Sequence, residues 1–201
     1  MLYEHWGDNR SFKTGGNALF AYLAWLSGKT VYCNCPLNPL TNTYNCILNF
    51  PHKHLNASEF FDKGIELFDC YIMTDQGETG GLDSLHITQD IKEAGYFGVQ
   101  ATKRDVEWHF DTVRHKSILN RLRLNVHFYV QSIRYPPDPR KPLVAVKMKI
   151  KNRYSGKDRS FWILQPYRLF PLFNSEVLIS PLKPKQDLPN INQIHKQLVN
   201  A

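Results

Sequence analysis

The 201-residue chain lacks long apolar runs, internal repeats and a rich set of cysteines. No apolar run reaches the ~18 residues that a membrane span needs, and the N-terminus lacks the basic-then-apolar layout of a signal peptide. These absences predict a soluble, intracellular protein that is not secreted. The length allows one domain with a substantial core, and 42% hydrophobic and 13% aromatic residues indicate a globular chain.

The four cysteines are unevenly spaced. Cys33 and Cys35 lie two residues apart on an expected strand, and His52 and His54 follow in a loop. This pattern lacks the usual ligand spacings of zinc sites, so we expect reduced, partly buried cysteines. A metal site built from these four residues stays the open alternative.

Acidic residues are fewer than basic ones, at 18 against 25, which gives a formal net charge of +7. Such a balance is compatible with a polyanionic partner such as nucleic acid. The alternative is an ordinary solvated basic surface.

One motif stands out near the N-terminus. Gly7, four further residues, Phe12, Lys13 and Thr14 follow the spacing of a phosphate-binding loop, G-x-x-x-x-G-K-[ST], except that Phe12 replaces the second glycine. In such a loop the backbone N–H groups face phosphates, the lysine reaches the β/γ oxygens, and the threonine ligates Mg²⁺. The predicted nucleotide-binding residues are Gly7, Asp8, Asn9, Arg10, Ser11, Phe12, Lys13, Thr14 and Gly15.

The flanking sequence supports this loop. An apolar run from Met1 to Trp6 predicts a strand entering it, and residues 15–26 predict a helix leaving it. That helix is apolar on every face, so we expect it to be buried all round. A second Gly-Lys-Thr at residues 28–30 sits where a helix ends, and its glycine is better interpreted as a C-terminal cap. A chance match at residues 7–14 remains the alternative.

A second apolar strand, over residues 67–74, is followed by Asp75. An acidic residue at the carboxyl end of a strand beside the loop is placed to order the hydration shell of Mg²⁺. The alternative is a turn-initiating aspartate before Gly77.

The remaining pattern predicts an α/β fold. Further strands are expected over residues 30–35, 106–113, 126–133 and 143–150, and helices over residues 58–64 and 83–93. Their alternation up to residue 125 predicts a mainly parallel sheet flanked by helices, and the proline-rich turn at residues 136–139 predicts an antiparallel extension. We expect a domain over residues 1–181, with its core over 1–135 and the extension over 136–181. A polar tail over 182–201, with a weak helix over 191–199, completes the chain.

Taken together, residues 1 to about 180 resemble the P-loop translocases of the FtsK/HerA-type group, which includes viral DNA-packaging ATPases and zonular-occludens-toxin-like phage proteins. The resemblance implies a P-loop NTPase fold of the RecA/FtsK type. The stretches that carry it are residues 7–14, 74–76 with 82–84, 103–105, 118–123 and 172–177.

The resemblance also implies roles for individual residues. Lys13 would neutralise the phosphates of ATP, and Thr14 with Asp75 would hold Mg²⁺. Arg104 resembles the arginine that ring ATPases project into a neighbour's site. Arg121 and Arg123 resemble paired arginines near the subunit boundary. For all three arginines the alternative is a solvated surface charge.

Three departures from the family pattern concern turnover. Gln76 stands where the family has a glutamate that polarises the attacking water, and a neutral amide cannot accept its proton. Glu78 is a candidate substitute. Val113 stands where a polar sensor is usual, and Phe12 is the third departure. Together they suggest a slow ATPase, or a relative that binds nucleotide without turnover.

The main hypothesis is an ATPase subunit of a viral or mobile-element DNA translocation or packaging motor. It would form a homo-oligomeric ring, expected to be a hexamer, contact DNA independently of sequence, and reside in the host cytoplasm or virion. One alternative is an inactive nucleotide-binding module in virion assembly or morphogenesis. Another is a basic nucleic-acid-binding protein whose loop match is accidental.

Two further stretches, residues 108–110 and 153–168, interleave aromatic and charged or imidazole side chains, as single-strand-binding surfaces do. Core packing is the alternative for both.

Overall fold

The computed structural model describes residues 1–8, 10–34, 48–55, 59, 66–77, 82 and 89–173. Within these ranges the chain forms one eight-stranded sheet with helices on its faces. The strands are β1 (Leu2–Trp6), β2 (Thr30–Cys33), β3 (Lys53–His54), β4 (Cys70–Thr74), β5 (Glu107–Thr112), β6 (Phe128–Tyr135), β7 (Ala145–Asn152) and β8 (Asp158–Leu164). The helices are α1 (Lys13–Leu26), α2 (Gln89–Gln100) and α3 (Asn120–Leu124), with 3-10 segments at Ala101–Arg104, His115–Ser117 and Pro166–Leu172.

The sheet divides into a parallel and an antiparallel half. Its strand order is β3-β2-β4-β5-β1-β6-β7-β8, and every pair from β3 to β6 is parallel. The β6–β7 and β7–β8 pairs are antiparallel. The predicted fold class, a mainly parallel sheet flanked by helices with an antiparallel extension, is confirmed. The division into residues 1–181 and 182–201 stays a prediction.

Apolar side chains cover both faces of the parallel half. On one face Leu2 and Trp108 belong to a buried cluster with residues of α2 and α3. On the other face Tyr71 and Met73 of β4 belong to a cluster with Ala18 of α1. All five residues of β4 are buried, which is the pattern of a strand covered on both sides.

Helix α1 is not buried all round, so that expectation is wrong. Its small residues Ala18, Ala21 and Ala24 are buried, whereas Leu23 and Leu26 are more than half exposed. Alanines let the helix approach the sheet closely, and the large apolar residues on the opposite face then remain in solvent. Apolar composition alone did not distinguish the packed face from the exposed one.

The structure gives other elements different bounds from those that the sequence predicted. Helix α2 continues to residue 100 rather than ending near 93, and β8 is a strand that the sequence pattern did not predict. The expected helices over 58–64 and 191–199 lie outside the described residues, as do residues 174–177 of the resemblance. Among the described helices, none combines the length and the apolar character needed to cross a membrane.

Not all of the cysteines that the structure describes are free thiols. Cys33 is disulfide-bonded, so the expectation of a reduced thiol is wrong there, whereas Cys70 is free and buried. Cys35 lies outside the described residues. Within the described ranges, no group of three or more His, Cys, Asp or Glu side chains is placed to hold a metal ion.

Candidate nucleotide-binding site

Strand β1 leads directly into the loop at residues 7–12, which ends at the first residue of α1. Gly7 has a φ of 150°, and a Cβ at this position would lie 2.9 Å from the Ser132 carbonyl oxygen of β6 and 2.7 Å from Ser11 Oγ. The backbone therefore approaches its neighbours so closely that only glycine fits without displacement.

Phe12 adopts the conformation of the glycine that it replaces. Its φ of 76° and ψ of 28° lie in the left-handed region, which costs an ordinary residue about 1 kcal/mol or more. The ring centroid lies 5.8 Å from that of Phe173 and 6.4 Å from that of Phe170. A Cβ on Gly15 would lie 2.5 Å from the Phe12 ring. Packing of the ring thus helps to hold a strained backbone that keeps the loop in its turn.

Lys13 lies over the loop. Its Nζ donates to the carbonyl oxygens of Gly7, at 2.8 Å, and Asp8, at 3.0 Å. The loop is also closed by a bond from the Ser11 N–H to the Asp8 carbonyl, at 3.1 Å. The first turn of α1 contains no acidic residue, and no side chain of its N-cap residue caps it. The positive end of the helix dipole therefore has no acidic side chain to offset it within that turn.

Thr14 joins the loop to the ends of two other strands. Its Oγ1 lies 2.8 Å from Asp75 Oδ1, just after β4, and 3.2 Å from Asp111 Oδ2, near the end of β5. Strand β5 lies between β4 and β1 in the sheet, so its carboxyl end falls next to both. The edge at the carboxyl ends of the parallel strands thus gathers one hydroxyl and two carboxyl groups.

The two carboxyl groups are buried and share their environment. Burial raises the pKa of Asp75. Burial, and then the negative charge of Asp75, raise the pKa of Asp111 well above its usual range. The ammonium of Lys13 opposes both shifts. Thr14 Oγ1 contacts both carboxyl groups but has only one proton to donate. If that proton goes to Asp75, a proton held on Asp111 lets Asp111 donate to Thr14 Oγ1 in the second contact.

Asn34, which follows β2, fixes the end of β4. Its side-chain amide donates to the Asp75 carbonyl oxygen and accepts from the Asp75 N–H, both at 3.0 Å. On the helix side, the Tyr71 hydroxyl donates to Asn17 Oδ1 of α1 at 2.8 Å. These contacts hold β2, β4 and α1 in a fixed relation around the loop.

Two of the predicted departures occupy different surroundings. Gln76 is exposed, has a φ of 48°, and its backbone N–H donates to Asp111 Oδ1. Val113 lies just beyond β5 and is 52% exposed. The neighbouring Thr112 is buried, and its Oγ1 accepts a bond from the Arg114 N–H at 3.1 Å. The polar side chain that β5 contributes to the site is thus Asp111.

The structure does not bring the predicted arginines into this cluster. Arg104 precedes β5, at the amino end of the parallel strands, and packs over Phe68 with 5.2 Å from Cζ to the ring centroid. Arg121 lies 4.0 Å over the Tyr96 ring of α2, and Arg123 donates to Asn120 Oδ1 at 2.8 Å. A role in a neighbouring subunit's site stays a prediction for each.

Two residues of the site were missing from the sequence predictions. Asp111 was included in the expected strand over 106–113 but not as a site residue, and Asn34 was not singled out. Both are polar residues at the carboxyl end of a strand, which is the signal that could have identified them. Asn9 and Glu78, which were predicted, lie outside the described residues.

Comparison with known proteins gives structural neighbours only. No family model and no curated protein sequence matches the chain. The structure is similar to the N-terminal domain of zonular occludens toxin from Neisseria meningitidis, with a TM-score of 0.52 and 9% identity over 86% of this chain and 98% of that one. It is also similar to the genome packaging NTPase B204 of Sulfolobus turreted icosahedral virus 2 in complex with AMPPCP, with a TM-score of 0.53 and 10% identity over 79% and 95%.

A further structure of B204, described as the DNA-packaging ATPase of Sulfolobus turreted icosahedral virus, gives a TM-score of 0.52 and 11% identity over 79% of this chain and 95% of that one. Identities this low establish the fold and not the activity. The chain therefore shares its fold with the zonular occludens toxin domain and with the viral genome packaging NTPase.

Proposed function

We propose that this chain is a P-loop ATPase-like subunit of a motor that moves or packages DNA. The observation that carries the proposal is the 2.8 Å contact between Thr14 Oγ1 and Asp75 Oδ1. It joins the loop before α1 to the carboxylate after β4, the two parts that nucleotide hydrolysis by this fold requires. An accidental loop match gives no reason for residues 61 positions apart to meet in this way.

The loop residues fit the phosphates of ATP. Gly7, Asp8 and residues 10–12 lie between β1 and the N-terminus of α1, and anions bind favourably at a helix N-terminus. Lys13 carries the charge that would neutralise the β/γ oxygens, and its bonds to Gly7 and Asp8 hold it close to the loop. Ser11 Oγ is buried and, among the residues that the structure describes, has no hydrogen-bond partner, so the loop retains an oxygen available to a ligand.

The oxygen cluster fits Mg²⁺. Thr14, Asp75 and Asp111 offer hydroxyl and carboxylate oxygens, which hard divalent cations prefer. A cation bound there would favour the ionised form of both carboxyl groups and would offset the burial and the charge of Asp75 that raise the pKa of Asp111. Mg²⁺ would supply charge compensation for the phosphate oxygens.

Asp111 bears on whether the site hydrolyses ATP. Gln76 can orient a water but cannot take its proton. Asp111 accepts a bond from the Gln76 N–H, and a bound cation would favour its ionised form, so we assign it the role of the base. Hydrolysis with Asp111 in this role is part of the proposal.

The competing function is a nucleotide-binding module for assembly that lacks turnover. Two observations favour it: the strained Phe12 in the loop and the neutral, exposed Gln76. In this case ATP would order the loop without being consumed.

Two further parts of the proposal are that the chain contacts DNA and that it forms a ring. They rest on the net charge of the chain and on its structural neighbours. A net charge of +7 suits a sequence-independent contact with phosphates, and the structural neighbours include a genome packaging NTPase and a DNA-packaging ATPase. We extend the proposal to a homo-oligomeric ring, taken as a hexamer, with Arg104, Arg121 and Arg123 acting across subunits. Its setting would be the host cytoplasm or the virion.

Titration of Mg-ATP against the purified chain by calorimetry tests the proposal. Lys13→Ala should weaken binding roughly tenfold or more, because a charge-assisted contact to phosphate is lost. Lys92→Ala, at an exposed position on α2, is the matched control and should bind as the wild type does. Equal affinity of all three proteins would refute nucleotide binding at this loop.

A phosphate-release assay with and without duplex DNA separates the two functions. The motor should release phosphate, faster with DNA, and Asp111→Asn should abolish release while weakening Mg-ATP binding less than Lys13→Ala does. The assembly module should bind Mg-ATP and release no phosphate.

A further inference from the structure

The antiparallel half of the sheet presents one face to solvent. On β7, the residues at even positions from Val146 to Ile150 point toward α1, where Val146 and Met148 are in an apolar cluster with Leu19 and Phe20. The intervening residues Lys147, Lys149 and Lys151 therefore point to the opposite face.

The strand register places aromatic residues beside these lysines. Lys147 pairs with Ile133 of β6 and with Trp162 of β8, and Ala145 pairs in the next row with Tyr135. The Lys147 Nζ lies 5.5 Å from the Trp162 ring centroid, and the Tyr135 and Trp162 rings are 4.9 Å apart. We refer to Tyr135, Lys147, Lys149, Lys151 and Trp162 as the lysine–tryptophan face.

This face is accessible although it carries large aromatic residues. Trp162 is 49% and Tyr135 38% exposed, and Lys149 and Lys151 are exposed as well. On β8 only Ile163 is buried, whereas all of β4 in the parallel half is buried. Two neighbouring exposed aromatic rings form a contiguous apolar patch, and such patches mark contact surfaces when polar residues border them.

The spacing of the lysines suits a phosphate backbone. Alternate residues of an antiparallel strand repeat at about 6.8 Å, which is comparable with the distance between neighbouring phosphates along one nucleic acid strand. Lys147, Lys149 and Lys151 thus form a straight row of three cations. Asp158, opposite Lys151, is the only acidic residue that the register places on the same face of β6, β7 and β8.

We propose that the lysine–tryptophan face binds single-stranded nucleic acid, with phosphates along the β7 lysines and a base stacked on Trp162 beside Tyr135. Aromatic rings on an exposed sheet can stack on any base, but only where the base is not already paired within a duplex. Cations and aromatics together therefore favour a single strand over a duplex. The inference extends the proposed function by naming the surface that meets the nucleic acid, but the binding itself does not require the nucleotide site.

Charge argues against a second copy of this chain as the occupant. A two-fold contact would place the same face on both copies, and so would bring the three lysines of each copy toward those of the other. One aspartate per copy does not balance them. A polyanion meets no such repulsion.

Fluorescence anisotropy of a labelled 20-nucleotide oligothymidylate, titrated with the full chain, tests the proposal. Trp162→Ala should weaken binding roughly tenfold, whereas Trp162→Phe should retain most of it, because a smaller ring still stacks. Changing Lys147, Lys149 and Lys151 together to glutamine should weaken binding and lower the slope of log K against log salt by about 0.7 for each lost phosphate contact. Circular dichroism checks that each variant is folded.

The matched controls are Phe68→Ala, just before β4 in the parallel half, and Lys92→Gln, on α2, which remove an exposed aromatic and an exposed cation elsewhere on the surface. Both should bind as the wild type does. Equal affinity of wild type, Trp162→Ala and the triple variant would overturn the proposal. So would a Trp162→Ala variant that loses self-association in sedimentation while its oligonucleotide affinity stays unchanged, since the face would then be a subunit contact.

Two further comparisons separate the alternatives. A duplex of the same length bound as tightly as the single strand, with no effect of Trp162→Ala, would reduce the face to a charged surface and refute base stacking. Lys13→Ala should lose Mg-ATP binding and retain the oligonucleotide, whereas Trp162→Ala should do the reverse. Failure of the nucleotide site and failure of this face therefore give different results.

Discussion

The parallel and antiparallel halves of this sheet differ in what covers them. Strands β4, β5 and β1 lie between helices and carry Asp75, Asp111 and the loop at their carboxyl ends, whereas β7 is covered on one face and β8 is largely exposed. Covered strands hold buried polar groups at fixed distances, which is what a site for phosphates and a cation requires. The open strands leave aromatic and cationic side chains accessible to a large partner. Within one continuous sheet, the proposed nucleotide site and the proposed nucleic-acid surface are thus separated.

The largest contrast concerns two tryptophans. Trp108 on β5 is fully buried, and its Nε1 donates to Thr74 Oγ1 at 3.0 Å. Trp108→Ala should lower the free energy of unfolding by about 3–5 kcal/mol, because a large cavity forms and a buried hydroxyl loses its partner. Trp162→Ala should cost less than about 1 kcal/mol. Urea denaturation measures both, and equal losses would contradict the difference in burial between the halves.

A buried histidine pair makes the parallel half sensitive to acid. His5 Nε2 lies 2.9 Å from His109 Nδ1, and burial lowers the pKa of His5 to about 3. Burial, and then the positive charge of a protonated His5, lower the pKa of His109 well below its usual value. Glu107 Oε2, 4.0 Å from His109 Nε2, is the nearby acidic group.

Both folded-state pKa values lie below those of the unfolded chain, so the unfolded state takes up protons first. Stability is therefore fully present above pH ~6.5 and is lost as the pH falls below it, by about 2–3 kcal/mol for the pair at pH ~5.5. Urea denaturation at several pH values should show this slope, and the double variant His5→Phe/His109→Phe should flatten it. A slope of the same size in a folded double variant would assign the acid sensitivity to other groups.

The carboxyl pair at the edge of the parallel half should destabilise the protein when no cation is bound. Burial raises the pKa of both Asp75 and Asp111, and the negative charge of Asp75 raises that of Asp111 further, so the folded state resists their ionisation. With a chelator present, Asp111→Asn should raise stability at neutral pH by about 1 kcal/mol, or about 2–4 °C in Tm for a domain of this size.

For acids with raised pKa values, the penalty is absent near pH ~4 and appears as the pH rises, so the gain from Asp111→Asn should vanish in acid. Thermal unfolding at pH 4 and pH 7.5 checks both parts. Asp138→Asn, at a partly exposed turn in the antiparallel half, is the control and should give no gain. A loss of stability at neutral pH would show that Asp111 is a structural partner rather than a strained one.

The sequence predicted the loop, the strands around it and the parallel sheet, because residue spacing and apolar runs are local signals. Gly7, Lys13 and Thr14 follow a fixed spacing, and Asp75 follows a continuous apolar strand. Asp111 was not predicted as a site residue, because its role depends on β5 lying between β4 and β1, and strand order is a non-local property.

The antiparallel half was harder to predict for a different reason. In β8 both faces are largely exposed, so polar and aromatic residues follow one another without the alternation that marks a half-buried strand. For Trp162 the sequence left two interpretations open, a binding surface over residues 153–168 or core packing, and residue pattern alone could not decide between them. Only the register with Lys147 placed it on an open face.

The smallest expected effect concerns Phe12, which connects the parallel and antiparallel halves of the sheet. Phe12 holds a left-handed backbone, and its ring packs against Phe170 and Phe173, which follow the antiparallel strands. Phe12→Gly should change the free energy of unfolding by less than about 1 kcal/mol, because relief of strain offsets the lost packing of a half-buried ring. It should tighten Mg-ATP binding about threefold, since the loop N–H groups can then approach the phosphates more closely.

Phe170→Ala, which removes the packing but keeps the Phe12 backbone, is the control and should not tighten binding. Weaker binding by Phe12→Gly would mean instead that the aromatic packing, and with it the segment after β8, holds the loop in its binding conformation.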